Sequence, residues 1–162
     1  MGVANYADTG AVTNWIASLQ PYIKSWQVFT CPSAIASAAP YVPNNNNRSS
    51  YALNAVVEGR SMAVIPESAE TIYCQEQTNT LNLARQLPIK ESVVSGVTYY
   101  QYWFYAGAHS GTHFDGGNLL YCDGHVKWRK FSTIAAKEFG LNATTTLGVP
   151  PSPYNETATA RF

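Results

Sequence analysis

Charge is scarce in this chain. Lys, Arg, Asp and Glu together make up 12% of its 162 residues, about half the share usual in a soluble domain. Ten basic and ten acidic side chains cancel to a formal charge of zero. The longest basic cluster, Lys127-Trp128-Arg129-Lys130, is too short for the Lys/Arg face that phosphate backbones require, which argues against nucleic acid as a partner. No apolar run reaches the roughly 20 residues that span a bilayer, and no signal peptide opens the chain. The opening Met1-Gly2-Val3-Ala4 reads as an engineered start, so a missing targeting segment carries no weight for the native protein.

Patterns of covalent catalysis are also lacking. There is no G-x-S-x-G elbow, no cysteine-nucleophile signature and no pair of carboxylates at a useful spacing. Gly116-Gly117 is followed by no helix start with Lys, so it is not a phosphate loop. Glu67 and Glu70 flank a turn, where solvated or capping carboxylates are ordinary. Cysteine is sparse and odd in number: one bridge with an orphan, or three packed thiols, both fit.

What is present is apolar and neutral. Hydrophobic residues make up 46% and aromatics 13%, enough for one core, and eleven tyrosines can sit half-buried while still hydrogen-bonding. The surface is left to Asn, Ser, Thr, Gln and Tyr. Such a surface suits a secreted or assembled subunit, because neighbours can cover it without desolvating charge. An ordinary β-rich domain fits the composition equally well.

Val12, Trp15, Ile16, Leu19, Ile23 and Trp26 recur at helical spacing, with Pro21 expected to bend or restart the helix. Residues 34–50, with Pro40, Pro43 and Asn44 to Asn47, read as a long surface loop. Strands are predicted over 50–57, 71–75, 97–105, 118–122 and 125–130, with Asp123-Gly124 as the turn between the last two. Residues 77–96 are polar and ambiguous. Ser132 should cap a short helix that Gly140 stops. From Asn142 onward the chain reads as an extended Thr/Pro-rich tail, mobile unless held. The predicted organisation is a head over 1–141 and a tail over 142–162, with no internal repeat. Three Asn-x-Ser/Thr sequons, at Asn47, Asn142 and Asn155, are what so Asn- and Thr-rich a chain produces by chance.

Five polar residues crowd into seventeen positions: His109, His113, Asp115, Asp123 and His125. His113, Asp115 and Asp123 could gather around a structural calcium or zinc ion. Alternatively His113, Asp123 and Gly124 form a metal-free clasp, His113 bonding to Asp123 or the turn backbone and locking the loop over the hairpin. Cys74 and Cys122, each in a predicted strand, could form a disulfide if those strands are neighbours, or remain packed thiols. Tyr99, Tyr100, Tyr102, Trp103 and Tyr105 form a candidate ligand surface or a piece of core.

These residues carry a resemblance. Trp15, Leu19, Pro21-Tyr22, Lys24, Trp26, Val28-Phe29 and Cys31-Pro32-Ser33, in that spacing, resemble the first half of bacterial prepilin-like proteins with the H-x9-DG domain. Ser50-Tyr51-Ala52-Leu53-Asn54 is similar to their SYGYN segment, and Pro66-Glu67-Ser68-Ala69-Glu70-Thr71 to their SPAET turn. His113, followed after nine residues by Asp123-Gly124-His125-Val126, resembles the signature itself. The likeness covers about residues 13–130. It departs after the SPAET-like turn, where Tyr73-Cys74-Gln75-Glu76 replace the family's small residue and Asp-Gly, and the tail matches nothing in it.

The resemblance implies an α+β pilin-like head, an antiparallel sheet packed against a helix with long loops, whose N-terminal transmembrane and assembly helix is missing from the chain. It implies a non-enzymatic subunit of a type IV pilus or type II secretion pseudopilus, with other pilin-like subunits as partners and an extracytoplasmic location. A cysteine in the missing helix would be a mate for Cys31. No cofactor is implied beyond the candidate structural metal. Two other functions remain open: a glycan-binding module built on the Tyr/Trp strand, and a metal-dependent hydrolase built on the His/Asp cluster.

Overall fold

The structure is a computed structural model; it describes residues 19, 21–33, 49–54, 56–57, 59–81, 89–103, 113–142 and 155–162. Among the described residues seven strands form two antiparallel sheets: β1 (Ser49–Leu53), β2 (Ile72–Leu81), β3 (Ile89–Val94), β4 (Val97–Trp103), β5 (Gly116–Tyr121), β6 (Val126–Lys130) and β7 (Asn155–Ala158). The four-stranded sheet runs β1-β2-β5-β6, and the three-stranded one runs β3-β4-β7.

Composition explains the placement of the strands in the larger sheet. The central strands β2 and β5 carry the buried Ile72, Cys74, Leu119 and Tyr121. The edge strand β6, Val-Lys-Trp-Arg-Lys, is mostly exposed, and its lysines blunt the open edge against pairing with another chain. The hairpin joining β5 and β6 turns at Asp123-Gly124, as expected from the sequence. Gly124 has φ +95°, its amide donates to the Tyr121 carbonyl, and the Tyr121 amide donates to His125.

The core lies under the larger sheet and joins Val56, Ile72, Leu119, Tyr121, Ile134, Ala136, Phe139 and Leu141. Residues 131–139 supply much of it, as two short 3₁₀ helices, Phe131–Thr133 and Ala136–Phe139, in place of the predicted continuous helix. Ile134 and Ala135 between them are extended, turning Ile134 inward. The stop at Gly140 is as predicted (φ +77°). The cap is not Ser132: the Glu138 carboxylate reaches back to the Ala135 amide at 2.8 Å.

One buried polar residue stitches this core to the sheet. Asn54, 1% exposed, donates from Nδ2 to the Ile72 carbonyl (2.8 Å) and the Phe139 carbonyl (3.0 Å), and its Oδ1 accepts from the Val56 amide (3.0 Å).

The antiparallel sheet is as expected, whereas among the described residues the elements beside it are short 3₁₀ helices and not the α-helix of the expected α+β head. Most of the predicted N-terminal helix lies outside the described residues, and Trp26 opens a 3₁₀ turn (Trp26–Phe29). Among the described residues no helix is long and apolar enough to cross a membrane. Part of the predicted loop 34–50 is strand instead, because Ser49 and Ser50 begin β1. The ambiguous stretch 77–96 holds the end of β2 and all of β3. The tail is held at its end. β7 pairs with β4, the Asn142 amide donates to the Thr159 carbonyl, and the Arg161 guanidinium meets the Glu67 carboxylate at 2.6 Å. Phe162 packs beside Gly140, where a Cβ would come within 2.7 Å of its ring, and the Arg60 guanidinium lies 5.3 Å from that ring's centre.

Replacing Asn54 by Ala should destabilise the chain by about 2–4 kcal/mol in urea denaturation, because three buried backbone groups lose their partner. A loss below about 0.5 kcal/mol would show that Asn54 is not a tie between sheet and core.

Candidate functional site

At one end of the larger sheet, three side chains from distant parts of the sequence converge. Cys31 follows the first 3₁₀ turn, Glu76 lies on β2, and His113 precedes β5. The His113 Nε2 lies 2.9 Å from Glu76 Oε1 and 3.4 Å from Cys31 Sγ. All three ligand-type atoms lie within 4.8 Å of one another, and among the described residues this is the one group of three that could hold a metal ion. Cys31 and Glu76 are buried, while the His113 side chain is 32% exposed, so the cluster meets solvent on the histidine side.

Each member is positioned by a further contact. The Cys31 amide donates to Ser50 Oγ at 2.9 Å, and Ser49 Oγ donates to the Phe29 carbonyl, tying this segment to β1. The second Glu76 oxygen, Oε2, accepts from both the Asn118 amide (3.0 Å) and Asn118 Nδ2 (3.1 Å). His113 is fixed through its backbone: its amide donates to the Gly116 carbonyl, and its carbonyl accepts from Trp128 Nε1 at 2.9 Å.

The turn carrying His113 is strained. Phe114 and Asp115 both adopt the left-handed region, at φ +59° and +60°, a conformation costing roughly 1–2 kcal/mol for each such residue. Gly116 is required beside it, since a Cβ there would lie 2.7 Å from the Trp128 ring and would collide with the Arg129 carbonyl. The Trp128 indole therefore lies against a bare backbone to reach His113.

Tyr51, directly across β1–β2 from Glu76, faces the same cluster. Burial, and then the negative charge of Glu76, push its phenol above its ordinary range.

The opposite end of the sheet forms a separate polar knot. Asp123 Oδ1 accepts from the His125 amide and lies 2.6 Å from His125 Nδ1, and these bonds hold its carboxyl below the ordinary carboxylate range. The His125 ring stacks on Tyr121 with centroids 4.4 Å apart. The Asp123 and Cys122 amides donate to the Ser68 and Thr71 carbonyls, so the Pro66–Thr71 turn docks on the hairpin. Along the edge, Arg129 pairs with Glu138 at 2.9 Å.

Several expectations are corrected here. The clasp between His113 and Asp123 is not made, because the two bracket β5, and a six-residue strand spans about 20 Å. The metal set His113, Asp115 and Asp123 is not assembled for the same reason. Asp115 is exposed, with its carbonyl taken by the Phe131 amide. The partners that sequence reasoning missed for His113 are Cys31 and Glu76. Cys74 and Cys122 are not joined: none of the three described cysteines is in a disulfide. The strands are neighbours as supposed, but Cys74 faces Leu120, whereas Cys122 lies beside Thr71. Tyr99, Tyr100, Tyr102 and Trp103 lie on β4, between β3 and β7, and Tyr105 and His109 lie outside the described residues.

No family model matches the chain, and neither a curated protein nor a solved structure is significantly similar to it.

Burial raises the Cys74 thiol from 9.0 to about 12 and the Cys122 thiol from 9.0 to about 11. Alkylation of both at pH 8 should therefore run on the order of 10²-fold or more slower than that of a free cysteine, until denaturant is added. Rapid labelling of either in the folded chain would contradict the packing. Because both values are raised on folding, the stability they contribute is complete below about pH 9 and is lost as pH rises toward 11–12. Gly116→Ala should displace Trp128, destabilising the chain by roughly 1–3 kcal/mol and shifting indole fluorescence toward that of a solvated ring. Unchanged emission and stability would show that the indole does not depend on a bare backbone at 116.

Proposed function

We propose that this chain is the extracytoplasmic head of a pilin-like or pseudopilin-like subunit, a structural protein that assembles into a surface filament or pseudopilus. One observation carries the reading. The segments resembling the H-x9-DG family, dispersed from Cys31 to Val126, meet one another in the folded chain. The Cys31 sulfur is 3.4 Å from the His113 ring across 82 residues of sequence. Carbonyls of the Pro66–Thr71 turn accept from the Cys122 and Asp123 amides at the Asp-Gly turn, and Asn54 closes β1 onto β2. Residues that hold one another in place are what a structural signature requires.

The geometry favours a structural role for the histidine over turnover. A nucleophile–base–acid relay needs the thiol on one imidazole nitrogen and the carboxylate on the other. Here both Cys31 and Glu76 address Nε2. Assembly is served by the low charge of the chain and by apolar side chains left open near the sheet edge: Phe114 is 93% exposed, Val126 63% and Trp128 45%. The partners are then other pilin-like subunits, and an N-terminal helix of the kind the resemblance implies would supply the membrane anchor and the filament core.

The test is the native reading frame upstream of Val3. A short basic leader followed by about 20 apolar residues is the expected result. A globular domain in that position would overturn the proposal.

A further inference from the structure

We propose that Cys31, Glu76 and His113 form a zinc site with one coordination position open to solvent. The three ligand atoms point at one place. If Nε2 carries a proton, that proton is directed to the Glu76 carboxylate. If Nε2 is bare, its lone pair faces the carboxylate. One cation at that place would meet a thiolate sulfur, a carboxylate oxygen and an imidazole nitrogen together.

The distances agree with this. Tetrahedral zinc, with Zn–S near 2.3 Å and Zn–N near 2.0–2.1 Å, places sulfur and nitrogen about 3.5 Å apart. The observed Sγ–Nε2 distance is 3.4 Å. The nitrogen–oxygen edge in such a site is about 3.3 Å. Here it is 2.9 Å, so the carboxylate needs to withdraw by a few tenths of an ångström. A thiolate and an imidazole select zinc over calcium, which prefers six or more oxygens.

The surroundings already hold the ligands. Asn118 orients the carboxylate through Oε2 and leaves Oε1 facing the site. Ser50 and Trp128 fix the backbones of Cys31 and His113. Such outer contacts keep a metal ligand in place before the ion arrives. The 32% exposure of the His113 side chain gives an entry path and leaves room for a water as fourth ligand. On binding, the Cys31 S–H proton goes to solvent and a Zn–S bond forms, with no change of oxidation state. A Cys31 thiolate held this way is withdrawn from disulfide formation.

The test is titration of the purified, chelator-treated chain with zinc, read by competition with a chromogenic chelator, together with cobalt(II) substitution. The expected results are one zinc per chain, a thiolate-to-cobalt charge-transfer band and a rise of several degrees in melting temperature that a chelator reverses. Cys31→Ser and His113→Asn should each weaken binding by about 10²-fold or more, since even outer contacts contribute 10–100-fold at metal sites. Cys122→Ser, at the far end of the sheet, should bind as the unsubstituted chain does. The proposal is overturned if the unsubstituted chain shows neither stoichiometric zinc nor the cobalt band, a result that does not depend on any variant folding. It is overturned equally if Cys31→Ser binds normally or Cys122→Ser loses the metal. The site does not rest on the filament reading, and neither failure implies the other.

Discussion

A carboxylate taken out of water must be met by donors, and the Glu76 side chain is 1% exposed. Its partners come from two further places in the chain: the His113 ring ahead of β5, and the amide and side chain of Asn118 within it, which both donate. Removing the partners of such a group costs about 3–5 kcal/mol, comparable to a large part of a domain's net stability. The registration of β2 against β5 and the conformation of the 113–116 turn therefore have to agree. Much of the local detail follows from that. The left-handed backbone at Phe114 and Asp115 swings His113 inward, Gly116 admits the Trp128 indole, and the indole holds the His113 carbonyl.

The larger sheet is in this sense pinned at both ends, with apolar packing between. The Cys31–Glu76–His113 cluster closes one end. At the other, Asp123, His125 and the Pro66–Thr71 turn are joined by backbone bonds and a short histidine–carboxylate contact. Between them Ile72, Leu119 and Tyr121 meet Ile134, Ala136 and Phe139, and Asn54 ties the two layers together. Apolar burial supplies most of the driving force, but it is non-directional. The polar ends select one register.

Local chemistry made part of this legible in the sequence. The Asp-Gly turn, the apolar strand before it and the left-handed stop at Gly140 depend on neighbouring residues, and all three are where the pattern places them. The partners of His113 were not legible, because they are 37 and 82 positions away and nothing in a spacing of nine residues points to them. Reading His113 with Asp123 mistook sequence proximity for contact, although the strand between them carries the two apart. Glu76 was harder still, since it falls in the segment where the resemblance to the H-x9-DG pattern breaks off. β3 and β7 escaped notice because neither Ile89–Val94 nor Asn155–Ala158 alternates apolar with polar residues. The continuous helix over 132–139 gave way to 3₁₀ turns because burying Ile134 and Phe139 together outweighs local propensity.

The central claim is that Glu76 and His113 are coupled, and a double-mutant cycle measures that most directly. Glu76→Gln, His113→Asn and the double variant would be compared by urea denaturation in the presence of a chelator. Coupling predicts that the double variant departs from the sum of the singles by about 1–3 kcal/mol, as residues in one buried network do. Additivity within about 0.5 kcal/mol would contradict the account, for it would mean that the buried carboxylate does not depend on the histidine.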